Sequence, residues 1–355
     1  MFRILYVSHD AGLSGAPSCL LDIFEKLNRN EFRPVFACPG EGPLVKKAED
    51  LDIECFKFGM SGFRSLCSII EKNKISLVHA NTLLTPYAVR AGKSKKVPVA
   101  WHIHEYPDFC FDTMMNWFFF SRFPDIVITA SATLREKLIA KREKIVTVCN
   151  GVNLEKFAPG FNKKTRNEFG IGDSPLAVHV GSIEPRKGIQ YFIKSIPCVL
   201  KDFPSCRFLI VGDSPPHMRN YIDKMRKLAG EIGVAEKITF AGLRADIRRI
   251  LNNADLLVLA SLKEVLPKAI LEAMACALPV VATRVGGIPE LVREDTGILV
   301  EPADPVSLAA GIKKVLSDKD TARNMGEKAR KRVEEHFSLD RYIQGIERIY
   351  RGILQ

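Results

Sequence analysis

The sequence predicts an α/β protein built from two Rossmann-like domains, each a parallel sheet with helices on both faces. Its 355 residues exceed the length at which a single hydrophobic core keeps growing, so two domains are expected. Hydrophobic residues make up 46% and charged residues 26% of the chain, which is the balance of a folded globular protein. Apolar runs that alternate with amphipathic stretches supply the third observation.

These runs are short, rich in β-branched residues and separated by helical patterns, as in a parallel sheet. In the first half they lie near residues 4–7, 35–38, 53–58, 77–79, 97–101, 126–129 and 145–148. In the second half they lie near residues 176–180, 208–211, 238–240, 256–259, 280–282 and 297–300. Two sheets in tandem account for both series.

A polar segment rich in turn signals separates the two series and predicts the interdomain linker at residues 150–164. We therefore expect an N-terminal domain at residues 1–165 and a C-terminal domain at 166–337. The amphipathic segment at 338–355 is predicted to form a last helix that packs back on the N-terminal domain.

Composition also predicts the compartment. The nine cysteines are odd in number and scattered without a Cys-x-x-Cys pair, which favours reduced thiols over disulfides or zinc. No run approaches the roughly 18 apolar residues that span a bilayer, and the N-terminus lacks the features of a signal peptide. The sequence therefore predicts a cytoplasmic protein.

The net charge is +11, and residues 71–165 carry 15 basic against 8 acidic side chains. A basic surface formed by these residues could bind anionic lipid, nucleic acid or a phosphorylated substrate. The alternative is that the basic side chains only make the surface soluble. The aromatic run Trp117–Phe120 is typical of a core, and the alternative is contact with a membrane or an apolar acceptor. No nucleic-acid module is recognised, so nucleic acid is not an expected partner.

Two carboxylates, Glu264 and Glu272, follow a predicted buried strand, the first in a loop and the second inside the next helix. Open α/β sheets bind ligands at the carboxyl ends of their strands, and a carboxylate accepts the hydrogen bonds that vicinal hydroxyls donate. Pro267 suits the first turn of that helix. The alternative is that these are ordinary surface glutamates at helical spacing.

Two loops of small residues follow the first strand of each half. The loop at residues 8–17, which contains Gly15, and the loop at 179–188, which contains Gly181 and Ser182, each lead into a helix. Backbone N–H groups and a helix N-terminus can approach a phosphate there, and Arg186 and Lys187 add positive charge. The alternatives are a structural tight turn and solvated surface charges.

Three further side chains are candidates. Glu290, after the Gly286-Gly287 pair, is either a hydroxyl acceptor or a first-turn helix acid. His102 and His104 alternate at the end of a strand, and because they lack the partners that zinc needs, hydrogen bonding is favoured. No metal site is expected.

Together these segments resemble the family 4 retaining nucleotide-sugar glycosyltransferases of the GT-B fold, over nearly the whole chain. The most specific element runs from Glu264 through Glu272 to Thr283 and on to Gly286-Gly-Ile-Pro-Glu290. The segments at residues 150–157 and 180–188 are similar to the family's linker and phosphate loop.

The resemblance implies a role for each candidate residue. Glu272 would hold the ribose hydroxyls, and Glu264 with the backbone of Leu266, Pro267 and Lys268 would hold the donor sugar and its adjacent phosphate. Lys187 corresponds to the diphosphate-binding lysine, and Arg186 and the Gly181-Ser182 turn lie beside it. Gly15 would face the distal phosphate, and His104 would lie near the sugar on the acceptor side.

The function implied is transfer of a sugar from a UDP or GDP sugar to a hydroxyl of a glycan or lipid-linked acceptor, with retention of configuration. The resemblance places the two domains around a central cleft, with the acceptor on the N-terminal one. It implies no tightly bound cofactor, and cell-surface polysaccharide or glycolipid synthesis at the inner membrane face as the setting. The alternatives are a sugar-nucleotide epimerase of the same fold and a non-catalytic protein that binds anionic partners.

Three positions depart from the family pattern. Ser182 stands where many members carry arginine, so either Arg186 supplies the missing charge or phosphate contact is weaker. Ala277 replaces a common glycine and Asn153 a common aspartate, and both are expected to affect loop geometry rather than chemistry.

Overall fold

A computed structural model describes residues 1–13, 15–59, 62–107, 122–138, 142–160 and 163–355. The chain forms two compact units: unit 1 comprises Met1–Gly151 and Leu339–Gln355, and unit 2 comprises Val152–Ser338. The passage from unit 1 to unit 2 lies within the segment predicted as the linker. There, the Asn153 side chain accepts hydrogen bonds from the backbone N–H groups of Glu155 (3.0 Å) and Lys156 (2.9 Å), as an aspartate could.

Unit 1 is built on a parallel sheet whose strands are β1 (Phe2–Val7), β2 (Phe32–Cys38), β3 (Glu54–Lys57), β4 (Leu77–Asn81), β5 (Val99–Ile103), β6 (Ile126–Thr129) and β7 (Ile145–Thr147). Its described helices before the linker are α1 (Gly15–Lys26), α2 (Pro43–Glu49), α3 (Gly62–Lys72), α4 (Pro86–Ser94) and α5 (Ala132–Lys137). The strand order is β3-β2-β1-β4-β5-β6-β7, so the order reverses between β1 and β4.

Unit 2 repeats this plan with β8 (Leu176–Val180), β9 (Arg207–Val211), β10 (Ile238–Gly242), β11 (Leu256–Leu259), β12 (Val280–Thr283) and β13 (Gly297–Val300). Its helices are α6 (Lys163–Glu168), α7 (Ile189–Asp202), α8 (Asn220–Glu231), α9 (Ile247–Leu251), α10 (Lys268–Ala275), α11 (Ile288–Leu291), α12 (Pro305–Ser317) and α13 (Lys319–His336). The order β10-β9-β8-β11-β12-β13 reverses between β8 and β11.

The last helix, α14 (Leu339–Leu354), belongs to unit 1. One face of the helix, with Tyr342, Ile346 and Tyr350, joins the core that β1, β2 and α1 form. The Tyr350 hydroxyl lies 2.8 Å from Nδ1 of His79 in β4. Burying each large apolar side chain contributes about 1.5–3 kcal/mol, so this helix is part of the unit 1 core.

Each predicted apolar run coincides with a strand, and two parallel α/β sheets confirm the predicted fold class. The central strands of both sheets are buried on both faces, as parallel strands covered by helices must be, whereas the edge strands β3 and β10 are partly exposed. The sheet reversals matter most for function, because ligands of such folds bind outside the carboxyl ends of the strands at the reversal.

Candidate functional site

In unit 2 the predicted donor residues lie at the reversal between β8 and β11. The loop after β8 carries Lys187 in a short 3-10 turn, and the loop after β11 carries Glu264. Because β8 and β11 are paired neighbours, the two loops meet at the same edge of the sheet. Leu262 N–H donates to the carbonyl of Arg186 at 2.8 Å and ties the loops together.

Lys187 and Glu264 form an ion pair across the two loops. Nζ of Lys187 lies 2.5 Å from Oε1 of Glu264, and the two side chains are only 13% and 6% exposed. The Ser261 hydroxyl donates to the same oxygen at 2.8 Å, and Nη1 of Arg186 lies 3.7 Å from Oε2. The structure therefore brings together three of the predicted residues, Arg186, Lys187 and Glu264.

Gly188 makes this approach of the two loops sterically possible. It has φ +66°, and a Cβ at this position would lie 1.9 Å from the carbonyl oxygen of Ala260 at the end of β11. Both the left-handed backbone and the close approach require glycine. Gly188 also precedes α7, so the cations of the loop stand at a helix N-terminus.

Arg186 does not simply supply the positive charge that many family members carry at the position of Ser182. Its Nη2 lies 2.7 Å from Oε1 of Glu184, and the Ser182 hydroxyl donates to the same oxygen at 2.6 Å. Glu184 therefore neutralises part of the charge of Arg186, which the sequence did not reveal. The Gly181 N–H is also engaged, since it donates to the Val211 carbonyl at 2.9 Å.

The remaining donor candidates surround the start of α10. Pro267 immediately precedes the helix, Leu266 is buried, Lys268 opens its first turn, and Glu272 is half-buried one turn later. The Gly287 N–H donates to the Glu264 carbonyl at 3.3 Å, which draws the paired-glycine turn towards the ion pair.

Glu290 lies in α11, and its backbone carbonyl accepts a hydrogen bond from Nη2 of Arg332 at 2.7 Å.

A buried histidine that the sequence did not single out lies beneath the loop after β8. Nδ1 of His179, at the end of β8, lies 3.1 Å from the carbonyl oxygen of Val258, so Nδ1 carries the proton. Burial lowers the pKa of His179 to about 3, and the nearby charge of Lys187 contributes in the same direction. The ring is therefore neutral at physiological pH and adds no positive charge beside Lys187.

The reversal in unit 1 brings the loop after β1 against the end of β4. His9 bridges them, with Nε2 2.9 Å from Oδ2 of Asp10 and Nδ1 3.2 Å from the Thr82 hydroxyl. Burial opposes protonation of His9, but the hydrogen bond and charge of Asp10 outweigh it and raise its pKa. Gly15, with φ +31°, begins α1 just beyond this contact.

His104 forms a hydrogen bond, as the sequence predicts. Its Nε2 lies 2.9 Å from Oδ1 of Asn81, whose amide Nδ2 donates to the Ala16 carbonyl at 3.1 Å. Its ring also packs on buried His102, with centroids 4.0 Å apart. Among the described residues no group of three or more His, Cys, Asp or Glu side chains is placed to hold a metal ion.

A cavity of about 680 Å³ opens at the same edge of unit 1. Aromatic and aliphatic side chains line it, with Arg64 as a cation beside them. The apolar lining residues include Phe58, Phe63, Leu84 and Tyr87. The cavity is open to solvent. The sequence did not reveal this cavity, because its lining combines loop residues that follow four different strands with the first turns of α3 and α4.

The predicted basic face is partly neutralised. Nζ of Lys93 lies 2.9 Å from a carboxylate oxygen of Asp125, and Lys95 pairs with Glu71. The aromatic run Trp117–Phe120 lies outside the described residues. Within the described part of the chain, no helix has both the length and the apolar character needed to cross a membrane.

Known families match both units. The glycosyl transferases group 1 family matches residues 161–332, and Glycosyltransferase Family 4 matches residues 13–156. The UDP-Gal:alpha-D-GlcNAc-diphosphoundecaprenol alpha-1,3-galactosyltransferase of Escherichia coli is 28% identical, over 98% of this chain and 96% of that protein. The N-acetyl-alpha-D-glucosaminyl L-malate synthase of Bacillus anthracis is 29% identical over 65% of this chain. The matched region spans 60% of that protein's length.

Solved structures share the fold. The Anabaena protein HepE in complex with UDP and glucose superposes with a TM-score of 0.90 at 22% identity, covering 99% of this chain and 100% of that one. A glycosyltransferase from Rickettsia africae gives a TM-score of 0.88 at 23% identity, over 100% and 99% of the two chains. The chain therefore belongs to the family 4 glycosyltransferases and has the GT-B fold of two Rossmann-like domains.

Proposed function

We propose that this protein transfers a sugar from a nucleoside diphosphate sugar, with UDP or GDP as the nucleotide, to an acceptor hydroxyl with retention of configuration. The observation that carries the proposal is the pairing of Lys187 with Glu264 at the sheet reversal of unit 2. One loop supplies a cation for a diphosphate and the other a carboxylate for hydroxyl groups, which are the two chemistries of a nucleotide sugar.

Charge builds on the leaving diphosphate as the glycosidic bond breaks. Lys187 and Arg186, held in place before the reaction, stabilise that charge more than the charge of the intact donor. Glu264 and Glu272 bind hydroxyl groups of the sugar and ribose, with the backbone of Leu266, Pro267 and Lys268 beside the adjacent phosphate. Retention follows from attack on the face that the diphosphate leaves, with the donor phosphate accepting the acceptor proton, so no protein side chain is assigned as the base.

Unit 1 is proposed to bind the acceptor. The 680 Å³ cavity provides apolar walls for part of it, and His104 lies at the same edge of the sheet as Arg64 and Tyr87. A glycan or lipid-linked acceptor is proposed, as in cell-surface polysaccharide or glycolipid synthesis. The name of the Escherichia coli relative, whose acceptor is a diphosphoundecaprenol-linked sugar, supports this class.

The test is an assay of nucleotide release from a panel of UDP and GDP sugars, with and without short glycans and lipid-linked acceptors. Acceptor-dependent release with a glycosylated product supports transfer. Isomerised nucleotide sugar without acceptor supports the epimerase. Absence of both turnover and nucleotide affinity supports a non-catalytic binding protein. Lys187→Ala and Glu272→Ala are the site variants, and Glu231→Gln, on the exposed surface of α8, is the control.

The location at the inner membrane face is also a proposal, supported by the basic excess of residues 71–165. Flotation with liposomes that contain anionic lipid tests it. Binding that falls as salt rises supports the proposal, because salt screens exposed charges. Absence of binding at low salt contradicts it.

A further inference from the structure

Lys187 and Glu264, which are expected to bind different parts of the donor, form an ion pair with each other. Oε1 of Glu264 accepts from Nζ of Lys187 at 2.5 Å and from the Ser261 hydroxyl at 2.8 Å, in a site where the glutamate is 6% exposed. The cation proposed for the diphosphate is therefore already neutralised by the carboxylate proposed for the sugar. Any ligand that takes one partner changes the environment of the other.

Two ligands of the same site change this pair differently. A nucleoside diphosphate without a sugar competes with Glu264 for Lys187. The buried carboxylate then keeps the Ser261 hydroxyl and the more distant Arg186, but it loses its nearest cation beside a second negative charge, which is costly. A nucleoside diphosphate sugar takes the ammonium group as well, but its hydroxyl groups donate hydrogen bonds to the carboxylate in exchange. Glu264 therefore regains hydrogen bonds for the lost contact with Lys187 only when the sugar is present.

We propose that Glu264 determines specificity for the sugar-bearing nucleotide by competing for Lys187 whenever the sugar is absent. This rests on the proposed function and adds a second role to the carboxylate. Before transfer it binds the donor sugar, and after transfer it reclaims Lys187 and weakens the hold on the spent nucleoside diphosphate. Product release is thereby promoted by a residue that also binds substrate.

Glu264→Gln separates the two roles. The amide has the shape of the carboxylate and still accepts from the Ser261 hydroxyl, but it has no charge with which to neutralise Lys187. The dissociation constant for the bare nucleoside diphosphate is expected to fall about tenfold, while that for the nucleotide sugar stays constant or rises. The dissociation constant for the nucleoside diphosphate, divided by that for the nucleotide sugar, therefore becomes smaller.

The experiment is calorimetric titration of the full chain with UDP, GDP and the corresponding sugar nucleotides. It uses wild type, Glu264→Gln, Lys187→Met and the double variant. Glu231→Gln serves as the matched control, because it breaks a Lys–Glu pair with Lys227 on the exposed surface of the same unit. Glu264→Gln is expected to raise the affinity for the nucleoside diphosphate only when Lys187 is present. The double variant and the Glu231→Gln control should show no such gain.

An unchanged or weaker affinity of Glu264→Gln for the bare diphosphate overturns the inference, as does an equal gain in the Lys187→Met background. Thermal unfolding of each variant shows whether the fold is retained. If Glu264→Gln fails to fold, the two affinities are measured with Ser261→Ala, which removes one hydrogen bond from the carboxylate and so makes the loss of Lys187 more costly. The affinity for the bare nucleoside diphosphate should then fall relative to that for the nucleotide sugar, and no change or the opposite change contradicts the inference. Failure of wild type to bind any of the nucleotides refutes the proposed function instead.

Discussion

The side-chain amide of Asn81 fixes the orientation of the His104 ring. Nδ2 of Asn81 donates to the Ala16 carbonyl, so its Oδ1, 2.9 Å from Nε2 of His104, must accept the proton of that nitrogen. The proton therefore sits on Nε2 in the neutral ring. One side chain at the end of β4 thus links the start of α1 to the histidine expected at the acceptor side.

This contact predicts the effect of replacing Asn81. Asn81→Ala releases the ring and is expected to lower turnover about tenfold to a hundredfold, because misplaced groups lose much of their catalytic effect. Asn81→Asp keeps the acceptor oxygen and adds a charge, so it should raise the pKa of His104, as measured by NMR titration of the imidazole. A pKa of His104 that is the same in wild type and Asn81→Asp would show that the two side chains do not interact.

The unit 1 cavity predicts an effect on the acceptor alone. Phe63 lies in its wall, with the Arg90 guanidinium 4.9 Å from the ring centroid. Phe63→Ala removes this apolar wall, so the KM for the acceptor identified in the transfer assay should rise about tenfold while that for the donor stays constant. Phe2→Ala, on the exposed surface of the same unit, is the control. A rise in the donor KM instead would place the acceptor elsewhere.

Ala277, the residue in place of the family's common glycine, predicts a stabilising substitution. It follows α10 with φ +56°, a left-handed conformation that costs residues with a Cβ about 1–2 kcal/mol. Ala277→Gly should therefore raise the free energy of unfolding by about 1 kcal/mol in urea titration. Ala322→Gly, inside α13, should lower it by about the same amount, since glycine is unfavourable within a helix. Destabilisation by both substitutions would contradict the assignment of strain at Ala277.

Buried histidines, His79 and His179 among them, predict loss of stability in mild acid. Burial lowers the pKa of His79 to about 3, with a contribution from His104, and the pKa of His179 is lowered to the same value. Between pH 6.5 and 3 the unfolded chain binds a proton at each position and the folded chain does not, so stability falls as pH falls. Each histidine then costs about 1.4 kcal/mol for each pH unit below 6.5.

Urea titrations at pH 7 and pH 5.5 measure this dependence. His79→Asn, which cannot be protonated, should be less stable at pH 7 but should lose less stability than wild type between the two pH values. An equal loss in both proteins would show that His79 is not buried in the neutral form.

The sequence predicts much of the fold, because strands that are buried on both faces leave unmistakable apolar runs. It also places Lys187 and Glu264 each in a loop after a strand. Their ion pair is invisible in the pattern, since it depends on β8 and β11 being neighbours although 77 positions separate the two side chains. For the same reason the link from Asn81 to His104, and the partnership of Glu184 with Ser182 and Arg186, emerge only in three dimensions.

The donor is proposed to bind at the sheet reversal of unit 2. The most direct measurement is a crystal structure of the protein with the nucleotide sugar that the transfer assay selects. We expect the diphosphate within hydrogen-bond distance of Nζ of Lys187, the ribose hydroxyls on the Glu272 carboxylate and a sugar hydroxyl on Glu264. A diphosphate bound away from Lys187, with the Lys187–Glu264 pair intact, would contradict it.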